Sequence, residues 1–150
     1  MTIWMNTIAA VALAGFATLG LADTRSDAKA MLGEAHALIA AKGMKVAAAE
    51  FNAGGKWKRG NQYVVLVAFD GGTLLAHADN PKMEGKAMLQ ARDASGKPFV
   101  QETIKNVKAS GESLVEYRWA NPSTKKIDNG RLMARRVPGQ DAYVAVGFWE

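Results

Sequence analysis

Two aromatic side chains and an arginine stand together near the end of the chain, in the run Tyr117-Arg118-Trp119. The guanidinium group is a permanently charged fork of donors that can hold a carboxylate through two parallel hydrogen bonds. Aromatic faces supply the apolar walls that line small-molecule pockets. These residue types together predict a pocket for a small organic anion. Because side chains alternate along a strand, Tyr117 and Trp119 share one face, and at most two of the three residues can contact one ligand.

A structural interpretation of the same run stays open. Arg118 could pair with Glu116 or another acidic neighbour while the two aromatic rings pack in the core, since a buried arginine needs a partner in either case. His77 ends a strand-like run beside a turn, where it could form structural hydrogen bonds or contact a ligand. A metal site is not predicted, because the other histidine, His36, lies on a separate helical segment.

Motifs for catalysis are missing from the sequence. No serine sits in a nucleophile-elbow motif, no glycine-rich loop has phosphate-binding spacing, and no paired carboxylates stand out. The chain contains no cysteine, which excludes disulfides, thiolate nucleophiles and cysteine-ligated zinc. The net charge of +5 comes from scattered basic residues rather than a dense stripe, so nucleic-acid binding is not predicted. We therefore expect a protein that is not an enzyme and has no cofactor.

The elements that must position these residues follow from the periodicity of apolar side chains. Apolar residues recur at intervals of three and four in several segments, and Gly43 separates the first two of them. Pro98 suits the first turn of the last helical segment. The predicted helical segments are 26–42, 44–52, 84–90 and 98–109.

Five strands are predicted between and after these helices. The run Tyr63–Phe69 is apolar throughout, which indicates burial on both faces, and Asp70-Gly71-Gly72 predicts a hairpin. The order is two helices, a hairpin, a helical crossover and a three-stranded meander. This order predicts an α+β fold in which helices cover a five-stranded antiparallel sheet. The predicted strands are 63–69, 73–77, 113–119, 131–137 and 142–149.

Residues 1–22 carry no charged side chain and are almost continuously apolar from Thr7 to Leu21. Small residues stand at positions −3 and −1 relative to a cut after Ala22, as at signal-peptidase sites. A cleaved signal peptide is the favoured interpretation, and an uncleaved anchor or a buried helix are the alternatives. No second hydrophobic stretch of spanning length follows, so residues 23–150 are expected to form a periplasmic domain without a membrane span.

The order of strand and turn motifs resembles that of the single Cache domains, which are extracytoplasmic sensing modules with a PAS-like fold. The resemblance covers nearly all of residues 23–150. In that family the domain binds small ligands, often short carboxylates, and is not itself an enzyme. The motifs that carry the resemblance are Phe51-Asn52, 63–67, 70–72, 75–77, Asn80-Pro81, Gly85-Lys86, Asp93, 96–100, 116–119, Asn121-Pro122 and 136–139.

The resemblance implies a sensory domain for a short carboxylate such as acetate, propionate or pyruvate. Where the family often has a lysine this chain has Arg135, which keeps the charge but changes its geometry. Without a signalling domain after Glu150, the chain looks like a stand-alone exported form that works with a membrane sensor or transporter. The alternative is a ligand-free module that docks on a membrane receptor or kinase. The implied ligand-binding residues are Tyr63, His77, Tyr117, Arg118, Trp119 and Arg135.

Overall fold

Two helices and six strands follow one another in the described part of this computed structural model, residues 24–150. The predicted signal peptide, residues 1–22, lies outside the described residues. Single turns of 3-10 helix occur at Gly55–Trp57, Asp70–Gly72 and Pro81–Met83. The main elements are α1 (Thr24–Asn52), β1 (Lys58–Arg59), β2 (Gln62–Ala68), β3 (Leu74–His77), α2 (Phe99–Ser110), β4 (Glu112–Ala120), β5 (Ile127–Arg136) and β6 (Ala142–Phe148).

The strands form one antiparallel sheet in the order β1-β2-β6-β5-β4, and β3 also pairs with β2. The two-residue β1 and the longer β3 share the same edge of β2, through the pairs Lys58↔Tyr63 and Val65↔His77. Five strand positions therefore lie side by side, and the predicted α+β fold with a five-stranded sheet and a helical crossover is confirmed. The additional short strand β1 was not predicted.

The long helix α1 covers one face of the sheet, where it packs against β2 and β6. It is interrupted at Gly43, whose φ of 82° and ψ of 164° are not helical. The two predicted helical segments are therefore confirmed, with the glycine between them. Side chains at intervals of three and four residues are buried along its first half: Ala28, Met31, Leu32, Ala35 and Ile39.

The helix α2 covers the opposite face and packs mainly on β4. Its buried stripe includes the four side chains predicted from the sequence, and Gly111 ends the helix with a φ of 83°. Strand register places one row of residues under α2: Tyr63, Gly147, Leu132 and Val115. The neighbouring row, which faces the α1 side, is Val64, Val146, Met133 and Leu114.

The predicted short helix at 84–90 is wrong. Its backbone groups bond to the β2–β3 connection instead of to each other, with Met88 N–H donating to the Gly72 carbonyl and Leu89 N–H to the Gly71 carbonyl. A β-carbon at Gly72 would lie 2.9 Å from the Leu89 nitrogen, so this approach requires a glycine. The segment after β3 is therefore a strap over the β2–β3 hairpin, held by main-chain hydrogen bonds.

Candidate functional site

A cavity of about 50 Å³ lies between the sheet and α2. Side chains from five strands and from α2 line it, and almost all of them are aromatic or aliphatic. A water molecule occupies about 30 Å³ in the liquid, so the space suits a molecule of a few heavy atoms. Of the six candidate site residues, four line this cavity: Tyr63, His77, Tyr117 and Trp119.

The aromatic wall is built by alternation along β4. Tyr117 is buried and Trp119 half-buried on the α2 side, while Arg118 between them is exposed. Phe99, at the start of α2, lies with its ring centroid 5.1 Å from both of these rings. Tilted ring pairs at this spacing attract one another beyond simple burial. The first turn of α2 therefore packs against the two β4 aromatics and fixes their position.

Two hydroxyl groups meet on this face. The Oη atoms of Tyr63 and Tyr117 lie 3.4 Å apart, a long hydrogen bond in which either oxygen can donate. A β-carbon at Gly147 would lie 3.1 Å from the Tyr117 oxygen and 3.2 Å from the Tyr63 oxygen. The absence of a side chain at Gly147 therefore gives both hydroxyl groups the space in which they meet.

His77 supplies the third polar group of the cavity. Its ring stacks on Tyr63 with the centroids 4.7 Å apart. Nδ1 accepts a hydrogen bond from the Asn80 N–H at 3.0 Å, and the backbone N–H of His77 donates to Asn52 Oδ1 at 2.9 Å. Because Nδ1 is an acceptor, the neutral ring carries its proton on Nε2. No acceptor within residues 24–150 is bonded to that Nε2–H.

Burial keeps these groups uncharged at neutral pH. Desolvation lowers the pKa of His77 to about 4, against a smaller opposing effect of Asp79. Burial raises the pKa of Tyr63 to about 12 and that of Tyr117 well above its ordinary value. Desolvation disfavours the charged form of any group, which is the common cause of all three shifts. The cavity therefore offers neutral hydrogen-bond donors and acceptors.

The structure places Arg118 and Arg135 outside this cavity, on the other face of the sheet. Arg118 is exposed and lines a polar surface cleft of about 280 Å³ beside Lys97 and Arg131. The suggested pair of Arg118 with Glu116 is absent, because Glu116 lies 3.4 Å from Arg131 instead. Tyr117 also lines this cleft, whereas Trp119 lines only the cavity, so Arg118 meets one of the two aromatic side chains at the surface and neither of them inside the cavity.

Arg135 lies in a groove of about 690 Å³ between the first half of α1 and the edge of the sheet. Leu114 and Met133 share this groove with it, on the face opposite the aromatic cavity. The groove is larger than the cavity, but no aromatic side chain lines it. The chemistry expected of a small-ligand pocket therefore belongs to the smaller space.

Asp93 was not among the predicted site residues, although it holds the strand beside the cavity. Its Oδ2 accepts from the Arg118 backbone N–H at 2.8 Å, and its Oδ1 accepts from Ser95 and from the Lys97 N–H. Burial alone would raise the pKa of Asp93, but these hydrogen bonds outweigh it and lower the pKa to about 2. The pattern Asp-x-Ser-x-Lys, typical of a side chain that bonds its own following backbone, was the available signal.

No group of three or more His, Asp or Glu side chains within residues 24–150 is placed to hold a metal ion. No helix in the same residues is long and apolar enough to cross a membrane.

Comparison with known proteins adds three solved structures with this fold. A Cache chemosensory domain, studied for carboxylic acid recognition, is 22% identical with a TM-score of 0.63 over 83% of this chain and 86% of its own. The periplasmic sensor domain of a chemotaxis protein is 20% identical, with a TM-score of 0.63, and the match covers 83% of this chain and 88% of that domain. A methyl-accepting chemotaxis protein from Vibrio parahaemolyticus RIMD 2210633 is 16% identical, with a TM-score of 0.69, and the match covers 83% of this chain and 87% of that chain.

These identities are low, so the three likenesses establish the fold and no more. No curated protein matches the chain. The family model described as Single Cache domain 2 matches residues 24–150, which is nearly the whole chain. The chain therefore belongs to the single Cache domain 2 family.

Proposed function

We propose that this protein is a periplasmic sensory domain whose cavity between the sheet and α2 binds a short-chain organic acid such as acetate, propionate or pyruvate. The observation that carries the proposal is the convergence of Tyr63, His77 and Tyr117 on one small apolar cavity. A few polar groups in an otherwise apolar space orient a small ligand, and the rest of the wall excludes larger ones. Trp119 contributes apolar wall.

The solved Cache chemosensory domain studied for carboxylic acid recognition supports the ligand class, through the fold that it shares with this chain. The volume of about 50 Å³ supports the ligand size. Arg118 and Arg135 were expected to neutralise the acid, and their position on the far face assigns them no contact with it. We therefore assign the ligand site to Tyr63, His77, Tyr117 and Trp119.

A thermal-shift screen of small mono- and dicarboxylates tests this proposal. Short monocarboxylates should raise the melting temperature, because a ligand that binds the folded state alone stabilises it by mass action. Dicarboxylates should have a smaller effect, since a second charge has no partner in an apolar wall. Arg118→Ala and Arg135→Ala should respond like the wild type. No response to any short monocarboxylate would contradict the proposal.

We also propose that residues 1–22 are a signal peptide that delivers the domain to the periplasm, where it works with a membrane sensor or transporter. The motivation is the apolar run that ends at Ala22 before a polar segment. Mass spectrometry of the protein from a periplasmic fraction should find a mature chain that begins at Asp23. A full-length chain in the membrane fraction would instead indicate an uncleaved anchor.

The alternative of a ligand-free docking module predicts a continuous exposed apolar patch. Among the described residues, the exposed large apolar side chains are Val46, Leu114 and Ile127. They lie on three different elements, α1, β4 and β5. Scattered single side chains of this kind are ordinary on a protein surface, so the structure favours the ligand-binding function.

A further inference from the structure

The charge of the cavity wall limits the form in which a ligand can bind. No lysine or arginine is among the described residues that line the cavity. The titratable groups that line it are His77 and the phenols of Tyr63, Tyr117 and Tyr143, and burial raises the pKa of Tyr143 as it does for the other two. A carboxylate that entered this space would lose its water without gaining a cation.

Two cations beside cavity-lining residues are engaged elsewhere. Lys58, which acts on His77 through space, forms an ion pair with Asp79. Arg136, beside Tyr143 in the strand register, pairs with Asp141 at 3.3 Å and lies over the ring of Phe69. These pairs leave the negative charge of a ligand uncompensated.

Two polar side chains around the site are engaged in hydrogen bonds. Lys97, in the loop before α2, donates a hydrogen bond of 2.7 Å to the Glu116 carbonyl. On the α1 side, Asn52 binds the His77 backbone and also donates to Glu84 at 3.1 Å. Lys97, Arg118 and Arg131 line the polar surface cleft, and none of the three is among the described residues that line the cavity.

His77 is also poorly suited to become the missing cation. Its Nδ1 already accepts the Asn80 N–H at 3.0 Å, and a proton on Nδ1 would set two hydrogens against each other. Protonation would therefore break the turn that follows β3. Burial opposes the charge as well, since the pKa of His77 lies at about 4. The ring is built to remain neutral and to donate from Nε2.

The remaining donors and acceptors match an undissociated carboxyl group. One hydroxyl hydrogen is shared between Tyr63 and Tyr117, which leaves the other hydroxyl hydrogen and the His77 Nε2–H as donors. The phenol oxygens remain able to accept. A neutral carboxyl group has one hydrogen to donate and a carbonyl oxygen to accept, so every polar atom can be paired.

We propose that the cavity binds a short monocarboxylic acid in its undissociated form, so that each binding event takes up one proton at neutral pH. This inference rests on the proposed function and deepens it. The sensor would then respond to the acid together with the acidity of its surroundings. The same anion concentration would give a stronger response at lower pH.

Calorimetric titration of propionate into the full chain tests the inference. The titration is run at about pH 5.5 and about pH 7.5. At each pH it is repeated in two buffers of different ionisation enthalpy, because the difference between the two measured heats gives the number of protons taken up on binding. Both values lie above the pKa of a simple carboxyl group, so each pH unit cuts the undissociated fraction about tenfold. We expect uptake close to one proton and an apparent affinity about 100-fold lower at the higher pH.

Propionamide is the matched control, because it has the shape of the acid and carries no charge at either pH. Its affinity should be the same at both pH values, without proton uptake. Propionate binding with equal affinity at both pH values and no proton uptake would overturn this inference and leave the proposed function standing. If neither propionate nor propionamide binds at either pH, both proposals fail.

Discussion

The hydroxyl oxygens of Tyr63 and Tyr117 lie 3.4 Å apart although their strands are not neighbours in the sheet. β6 and β5 separate β2 from β4, and the two side chains reach across them over Gly147 of β6. The contact joins two residues 54 positions apart in the sequence, and both of them line the cavity. The ligand site therefore depends on the sheet pairing as a whole.

Gly147→Ala should obstruct the ligand site from the side of β6. The added methyl group would lie about 3.1 Å from both tyrosine side chains and push the hydroxyl groups into the cavity. Overpacking of this kind costs about 1 to 3 kcal/mol of unfolding free energy. We expect that loss in urea denaturation, together with a loss of the thermal shift that propionate gives.

Gly33→Ala is the matched control on α1, where no atom other than those of the neighbouring residues and the helix's own backbone lies within 4 Å of the added β-carbon. Because alanine favours helix over glycine, this variant should gain about 0.5 to 1 kcal/mol and keep its ligand response. A Gly147→Ala protein that still responds to propionate like the wild type would show that the hydroxyl pair is not part of the site.

The stability of the domain should fall as the pH drops from about 6.5 to about 4, because of His77. Its pKa is about 4 in the folded state and 6.5 as a free side chain, so the unfolded chain binds the proton more readily in this window. The loss of unfolding free energy reaches about 3 kcal/mol at about pH 4, the lower end of this window. The full stability returns above about pH 6.5. Urea denaturation at several pH values measures it.

His77→Asn should remove this pH dependence and keep an oxygen that accepts the Asn80 N–H. His36→Asn, on the half-exposed histidine that bonds the Arg136 carbonyl, should leave the dependence in place. Equal stability of the wild type at both ends of the window would contradict the burial of a neutral His77.

Asp93→Asn should loosen the attachment of the 93–97 loop to β4. The amide keeps one oxygen acceptor, so the Arg118 N–H, now 2.8 Å from Oδ2, would face a second donor. A buried donor left without an acceptor costs about 1 to 3 kcal/mol, which chemical denaturation at neutral pH should detect. Asp128→Asn, an exposed aspartate on β5, is the control and should change stability little.

The pH dependence of wild-type stability gives a second measure of the hydrogen bonds that the Asp93 carboxylate accepts. The pKa of Asp93 is lowered from 3.8 to about 2, so the stabilisation is complete above the higher value and is lost as the pH falls towards the lower one. The size of this contribution is about 2 kcal/mol. Asp93→Asn should lack it, and an identical acid unfolding curve for both proteins would contradict the role of the carboxylate.

Much of the fold could be predicted because single side chains report directly on local structure. The glycine at position 43 and the apolar spacing on both sides of it located the break in α1. The segment 84–90 was misassigned because its backbone bonds to Gly71 and Gly72, and such distant pairing leaves no periodic trace in the sequence. Propensity alone cannot anticipate a contact of this kind.

The site was harder to predict than the fold. Alternation correctly separated Tyr117 and Trp119 from Arg118, but it could not tell which face enclosed the cavity. The expected role of Arg118 rested on charge type, whereas its position depends on which face α2 covers. The approach of Tyr63 to Tyr117 depends on two intervening strands, which no local pattern encodes.

The most direct test compares propionate binding to Tyr117→Phe and to Arg118→Ala by calorimetry. A neutral hydrogen bond is worth about 1 kcal/mol, so the loss of the Tyr117 hydroxyl should weaken binding by about five- to tenfold with little change in fold stability. Arg118→Ala should bind propionate as the wild type does. Binding that is unchanged in Tyr117→Phe and lost in Arg118→Ala would contradict the account and return the ligand to the charged face of the sheet.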